Sequence, residues 1–242
     1  MSTSTRKALV ALLLLGSAPP ALAMDDGAIF WRFDGLVERR FHDLTPTVEW
    51  KAKGWIGDDY NKLRLESSGV IADNGQIDGE GGTKGVDSRF YYSRLISDFW
   101  DAKLGIQATV FGHGLSRTGF VAGFEGLAPF GFHVDAVAGV NQTGIATLKL
   151  DIDYDILLSQ KLIATPFVEA MVASGDDRAI DLGSGLSRFE IGARLRYEFA
   201  KEFAPFIGVS FEQFTGPTAS YVAAGNEPTS KLRAIAGIKI WF

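Results

Sequence analysis

The chain has no cysteine, and its 242 residues include only three methionines and three histidines. No disulfide framework and no thiolate metal site is therefore available. Long hydrophobic runs are also missing. Beyond the first 23 residues, no stretch approaches the roughly 20 consecutive apolar residues that a membrane helix needs. Excess positive charge is absent as well: a formal net charge of −5 and a pI of about 5.3 argue against nucleic acid as a partner. What the chain does have is glycine, at 28 residues, and phenylalanine, whose 18 residues outnumber tyrosine and tryptophan together. An apolar fraction of 46% with a mean hydropathy of only +0.09 is too polar for a bundle of transmembrane helices.

The N-terminal residues read as a targeting segment. Arg6 and Lys7 are basic, Ala8 to Leu15 form an apolar run, and Gly16, Pro19 and Pro20 break it. Ala21-Leu22-Ala23 is a small-x-small cleavage site. A secretory signal peptide over 1–23 is expected, with 24–242 forming one domain in or beyond a bacterial periplasm. No cysteine follows the cleavage site, so no lipid anchor is expected.

The rest of the chain alternates apolar and polar side chains with period two. Phe189, Ile191, Ala193, Leu195, Tyr197 and Phe199 share one face, and Arg188, Glu190, Gly192, Arg194, Arg196 and Glu198 share the other. Leu232, Ala234, Ala236, Ile238, Ile240 and Phe242 likewise oppose Arg233, Gly237 and Lys239. About twelve such segments occur, near 29–40, 46–56, 60–69, 85–96, 99–111, 117–126, 130–141, 144–156, 161–173, 187–199, 203–214 and 231–242. Each is long enough for a tilted membrane-spanning strand of about 9–11 residues.

The connections alternate in length. Those near 57–59, 97–98, 127–129, 157–160 and 200–202 are short. Those near 41–45, 70–84, 112–116, 174–186 and 215–230 are longer or richer in glycine, and 142–143 is a short exception. Trp55, Tyr60, Phe99, Trp100, Phe130, Tyr154, Phe199, Phe203 and Trp241 gather at one set of ends, as an interfacial girdle does. The fold expected is all-β: a transmembrane antiparallel β-barrel of about 12 strands, of the outer-membrane type, with short periplasmic turns and both termini in the periplasm. A soluble β-sandwich would also alternate, but strand length, loop asymmetry and the girdle favour the barrel. Pro166 and Pro205 count slightly against regular strands, but both lie near strand starts, where a bulge would be acceptable.

A charge facing lipid is costly, so the polar face must point inward. The expected lumen lining includes Glu49, Lys51, Arg64, Glu66, Arg89, Arg117, Glu125, Asp135, Glu169, Glu190, Arg194, Arg196 and Arg233, with the two signs nearly balanced. In a narrow tube such side chains should pair and brace the wall; the alternative is a selective pathway or ligand site using part of this lining. The ladder Lys149-x-Asp151-x-Asp153-x-Asp155 is the most distinctive cluster. It could hold a divalent cation or pair with Arg194 and Arg196, and pairing is the simpler expectation. His133 and Met171 also face inward by parity, which completes the candidate metal set His133, Met171, Asp151, Asp153 and Asp155. His113 with Ser116 is the one close His/Ser pair, with no third member, so no enzyme is expected.

Several runs resemble a known family. They are Gly57-Asp58-Asp59-Tyr60-Asn61-Lys62-Leu63; Tyr92-Ser93-Arg94-Leu95-Ile96-Ser97-Asp98-Phe99-Trp100-Asp101; Gly126-Leu127-Ala128-Pro129-Phe130 with Val134-Asp135; and Tyr154 through Leu162. Gly183-Ser184-Gly185-Leu186, Arg194-Leu195-Arg196-Tyr197-Glu198 and Glu202 through Val209 extend the match. As a set they resemble copper resistance protein B, an outer-membrane protein of Gram-negative copper operons. The resemblance implies an outer-membrane location and a role in copper resistance, by binding or passing copper, and periplasmic copper proteins as partners. The alternative is a barrel for another small solute without direct copper binding. Many members of the family carry a Met- and His-rich segment before the barrel, where this chain has Met24-Asp25-Asp26. The other expected partners are outer-membrane lipid and the assembly machinery, which the terminal Ile238-x-Ile240-x-Phe242 pattern resembles a signal for. A closed barrel leaves no strand edge to satisfy, so a monomer suffices.

Overall fold

The computed structural model describes residues 29–41, 46–77, 85–200 and 202–242. The expected signal segment 1–23 and His42 lie outside them. Every expected segment is a strand, with ends within three residues of those read from the pattern. The strands are β1 (Phe30–Phe41), β2 (Thr47–Gly57), β3 (Asn61–Ala72), β4 (Val86–Ser97), β5 (Trp100–Val110), β6 (Ser116–Ala128), β7 (Phe132–Asn141), β8 (Ala146–Tyr154), β9 (Ile156–Leu157), β10 (Leu162–Ala173), β11 (Gly185–Tyr197), β12 (Phe203–Phe214) and β13 (Ser230–Trp241).

Each strand pairs antiparallel with its sequence neighbour, and β13 pairs with β1, so the sheet closes on itself. The two-residue β9 continues β8: Phe167↔Asp153 and Ala164↔Ile156 keep one register on β10. The gap between β8 and β9 falls opposite Thr165–Pro166, where proline offers no N–H to the ladder. The barrel thus has twelve staves. Pro166 and Pro205 need no bulge: both sit in unbroken register, against Ala193 and Ile238. The β10–β11 ladder shifts instead between Met171 and Val172.

The short connections gather at the end where Phe33 and Phe242 exchange backbone hydrogen bonds, of 3.0 and 2.9 Å. We call this the near end. The longer connections lie at the far end. The far-end connection after β12 contains a helix, α1 (Gly216–Ala224), which the sequence pattern did not suggest; Pro217 opens it without wasting a donor.

The outer face is apolar. Leu104 and Phe120 are 64% and 76% exposed, and Leu65, Phe90, Ile106, Ile207, Val209 and Leu232 extend the belt. Aromatics ring the near end, among them Phe132 against Tyr154 and Tyr197 against Phe199. Trp55 departs from the expected girdle: it lines the lumen, with the Lys62 ammonium 5.4 Å from its ring. Among the described residues no helix is long and apolar enough to cross a membrane.

Leu104→Arg, at mid-height on the outer face, should destabilise the barrel by about 2–4 kcal/mol in lipid. Equilibrium unfolding in liposomes checks this.

Candidate functional site

Parity sends the charged side chains inward, and strand register decides which of them meet. Glu125, Asp135, Asp151, Glu169, Glu190 and Glu212 are successive register partners across β6, β7, β8, β10, β11 and β12. The row climbs, because Asp135 is the fourth residue of β7 and Glu212 the tenth of β12, and both strands ascend from the near end. Like charges directly opposite each other repel. Cations from elsewhere on the wall are interleaved with them.

At the far end these cations are arginines. Arg40, 1% exposed, touches Glu38 at 2.7 Å, Glu49 at 3.0 Å and Glu190 at 3.1 Å. Arg188 reaches Glu212 at 2.7 Å, Glu190 at 3.0 Å and Glu169 at 3.2 Å, and Arg233 meets Glu212 at 2.6 Å. Lower in the tube the cations are mostly lysines. Lys51 on β2 crosses the lumen to Glu169, and lies 3.6 Å from Asp151 on β8, six staves away. Lys53 reaches Asp135 at 2.6 Å and Glu125 at 3.2 Å. Arg64 joins Asp101 to Glu125. Lys149 and Arg89 both hold Asp87. The expected bracing of the wall is therefore present. A cavity of about 820 Å³ remains between the pairs.

Pairing of the aspartate ladder is only partly as expected. Asp155 meets Arg196 at 2.7 Å and accepts from Thr165. Arg194 turns away from the ladder: it pairs with Glu38 at 2.9 Å and lies 3.9 Å from the ring of Phe167. Phe167 and Phe206 are inward-facing apolar residues that a purely polar lining did not anticipate. Glu38, Arg40, Asp87, Asp101 and Lys103 are buried lumen charges that the sequence reading also missed, although their alternation with apolar neighbours was a usable signal.

The candidate metal residues do not form one site. His133 on β7 is the register partner of Asp153 on β8, and both line the cavity near its mouth at the near end. Met171 pairs in register with Lys149, four residues or roughly 13 Å further up β8. It is packed in an apolar cluster with Phe111, Ala173, Ile180 and Leu182. Asp151 shares Lys51, while Asp153 makes no ion pair or hydrogen bond among the described residues. Glu66, Glu125 and Asp135 bring carboxylate oxygens within 4.8 Å of one another. The Lys103 ammonium already fills that space, at 3.2, 3.2 and 2.8 Å from the three, and Lys103 is buried.

At the far end the 174–184 connection folds inward. Asp177 and Leu182 exchange backbone hydrogen bonds of 2.8 and 3.0 Å, which closes a short loop that buries Ile180 and Leu182. Arg117 on β6 grips Asp177 through two bonds of 2.7 and 3.0 Å. On the other side, Gly183 donates to Thr218 of α1, and a Cβ at Gly183 would come within 2.3 Å of the Thr218 nitrogen. Asp176 accepts from the Ser184 amide at 2.6 Å. That bond, followed by the Ser184 hydroxyl, holds the Asp176 carboxyl below its ordinary range.

Fold and interior together define a β-barrel of the outer-membrane type. The NanC porin has the same fold, with a TM-score of 0.54 at 12% identity, covering 86% of this chain and 98% of that one. The family model described as "Copper resistance protein B precursor (CopB)" matches residues 29–242. The chain belongs to the copper resistance protein B family. The Escherichia coli copper resistance protein B is 34% identical over 200 residues, 83% of this chain and 65% of that protein. A copper resistance protein B homolog of Pseudomonas syringae pv. tomato is 33% identical over 195 residues, 81% of this chain and 64% of that protein. The chain thus spans just under two thirds of the length of these curated relatives.

Two outcomes follow from this geometry. Arg40→Ala leaves Glu38, Glu49 and Glu190 without their shared cation and should cost about 3–5 kcal/mol in equilibrium unfolding. Because the folded-state pKa of Asp176 is depressed, its bond to Ser184 contributes at pH values above the ordinary carboxylate range and is lost as pH falls through the depressed value. Protection of the Ser184 amide against hydrogen exchange, relative to its intrinsic rate at each pH, should fall at that point, and carboxylate NMR should give Asp176 a midpoint below that of an ordinary aspartate.

Proposed function

We infer that this chain is a non-enzymatic barrel of the Gram-negative outer membrane that contributes to copper resistance by binding copper at its periplasmic mouth. The observation that carries the reading is the family match across the whole barrel, residues 29–242. The apolar outer belt and the near-end aromatics suit a bilayer, with the near end toward the periplasm. Periplasmic copper proteins are the partners that could deliver or receive the ion there. His133 opposite Asp153, which makes no ion pair or hydrogen bond among the described residues, supports the choice of site. An imidazole and a carboxylate suit Cu(II) better than Cu(I), which prefers the thioether and thiolate donors that are scarce here. Met171 lies too far up the lumen to join them.

Deleting the gene should raise copper sensitivity, and the wild-type copy should restore tolerance. Unchanged growth across copper concentrations would favour a barrel for another solute. In the refolded barrel, His133→Ala and Asp153→Asn should each weaken Cu(II) binding by at least about tenfold. Titration by tryptophan quenching measures this, and equal affinity in both variants would move the site elsewhere.

A further inference from the structure

The lumen cavity is continuous from Arg32 and Asp34 at the near end to Ile180 and Leu182 at the far end. Its walls are fixed by strand hydrogen bonds and by ion pairs. What stands at its head is different in kind: a segment of loop, residues 177–182, pinned to itself by the Asp177–Leu182 backbone exchange. The segment is held to the barrel wall by contacts of two kinds. Ile180 and Leu182 pack against Phe111, Met171 and Ala173, with Ile145 alongside. The Arg117 guanidinium, on β6, grips both Asp177 oxygens. On its outer side the loop leans on α1, through Arg178 over the Tyr221 ring at 5.6 Å and Gly183 against Thr218. A small apolar cluster, one ion pair and the few contacts to α1 oppose its release into the external space, whereas each stave is held by a full ladder. Loops carried in this way open locally at a small fraction of the free energy of global unfolding.

We propose that residues 177–182 are a shutter over a small-ion pathway through the barrel, and that the Arg117–Asp177 pair is its latch. The proposal rests on the reading that the barrel spans a membrane, and it is independent of copper as the cargo. Breaking the latch removes the Arg117–Asp177 tie, the one ion pair between the loop and β6 among the described residues, and leaves the twelve-stave wall untouched. The lysine cross-bars below limit what passes to small ions, because Lys51 and Lys53 still span the bore.

The test is current through the full chain refolded into planar bilayers in potassium chloride. The wild type should conduct weakly with brief openings. Arg117→Ala should raise the open probability several-fold, and Ile180→Ser with Leu182→Ser should do the same by the apolar route. Arg39→Ala, which breaks the exposed Arg39–Asp73 pair at the same end but outside the lumen, should leave the current at the wild-type level. Heat-modifiable migration in gels establishes that each variant is a folded barrel, and Asp177→Asn replaces Arg117→Ala if that variant does not fold. Wild-type currents in the unlatched and the apolar variants would overturn the proposal, as would a wild type that is already fully open. A failure of the copper reading would show as an unchanged growth phenotype with the currents intact; a failure of the shutter would show in the currents alone.

Discussion

The organising constraint is the width of the tube. Twelve staves enclose a lumen narrow enough that one lysine side chain from β2 reaches the wall six staves away. Inward-facing carboxylates on neighbouring strands cannot escape one another in such a space, nor can they all be solvated. Glu125, Asp135, Asp151, Glu169, Glu190 and Glu212 stand as direct register partners, an arrangement that is repulsive until cations are placed among them. Cations of β1, β2, β3, β5 and β13 supply them, together with Arg188 of β11 itself. The interior is therefore a single electrostatic arrangement whose halves come from distant parts of the chain.

The choice of cation changes along the tube. Where the carboxylates are fully buried, as at Glu38, Glu190 and Glu212, the partner is arginine. Its planar fork satisfies two or three oxygens from a fixed position and never loses its proton. Lower down, around Glu125, Asp135 and Asp151, lysines on flexible stems predominate, with Arg64 also at Glu125. Lys103 shows the limit of reading metal sites from acid clusters. Three carboxylates gather closely enough for an ion, yet they gather around an ammonium that the chain itself provides.

Much of this architecture was legible in the sequence because period two is a strong signal. It located all the strands, the short near-end turns and the inward direction of His133, Met171 and the aspartate ladder. Parity names a face, however, and not a height or a partner. It could not tell that His133 and Met171 sit four residues apart along the lumen, or that Arg194 would prefer Glu38 to the ladder. Phe167, Phe206, Val121 and Val137 occupy inward positions as apolar residues, and alternation alone gives no reason for this. The helix α1 was hidden because an Ala-rich turn of nine residues in a Gly- and Pro-bounded loop carries no amphipathic pattern. The candidate metal residues were the least legible part, since residue types such as His and Asp acquire meaning only from which of them face each other.

The β1–β13 seam sets the order of events in assembly. Every other ladder joins strands adjacent in sequence, so those hairpins form from local contacts. The seam joins Asp34 to Trp241 and Phe41 to Ala234, and must wait until the rest of the curved sheet brings its two edges together. Until then both edges present unpaired amides, and the charged inner face has no opposite wall to pair with. Closure therefore also completes the pairs that cross the lumen, such as Arg40 with Glu190 and Lys51 with Asp151, and the half-built sheet is the species that a cell would have to shield.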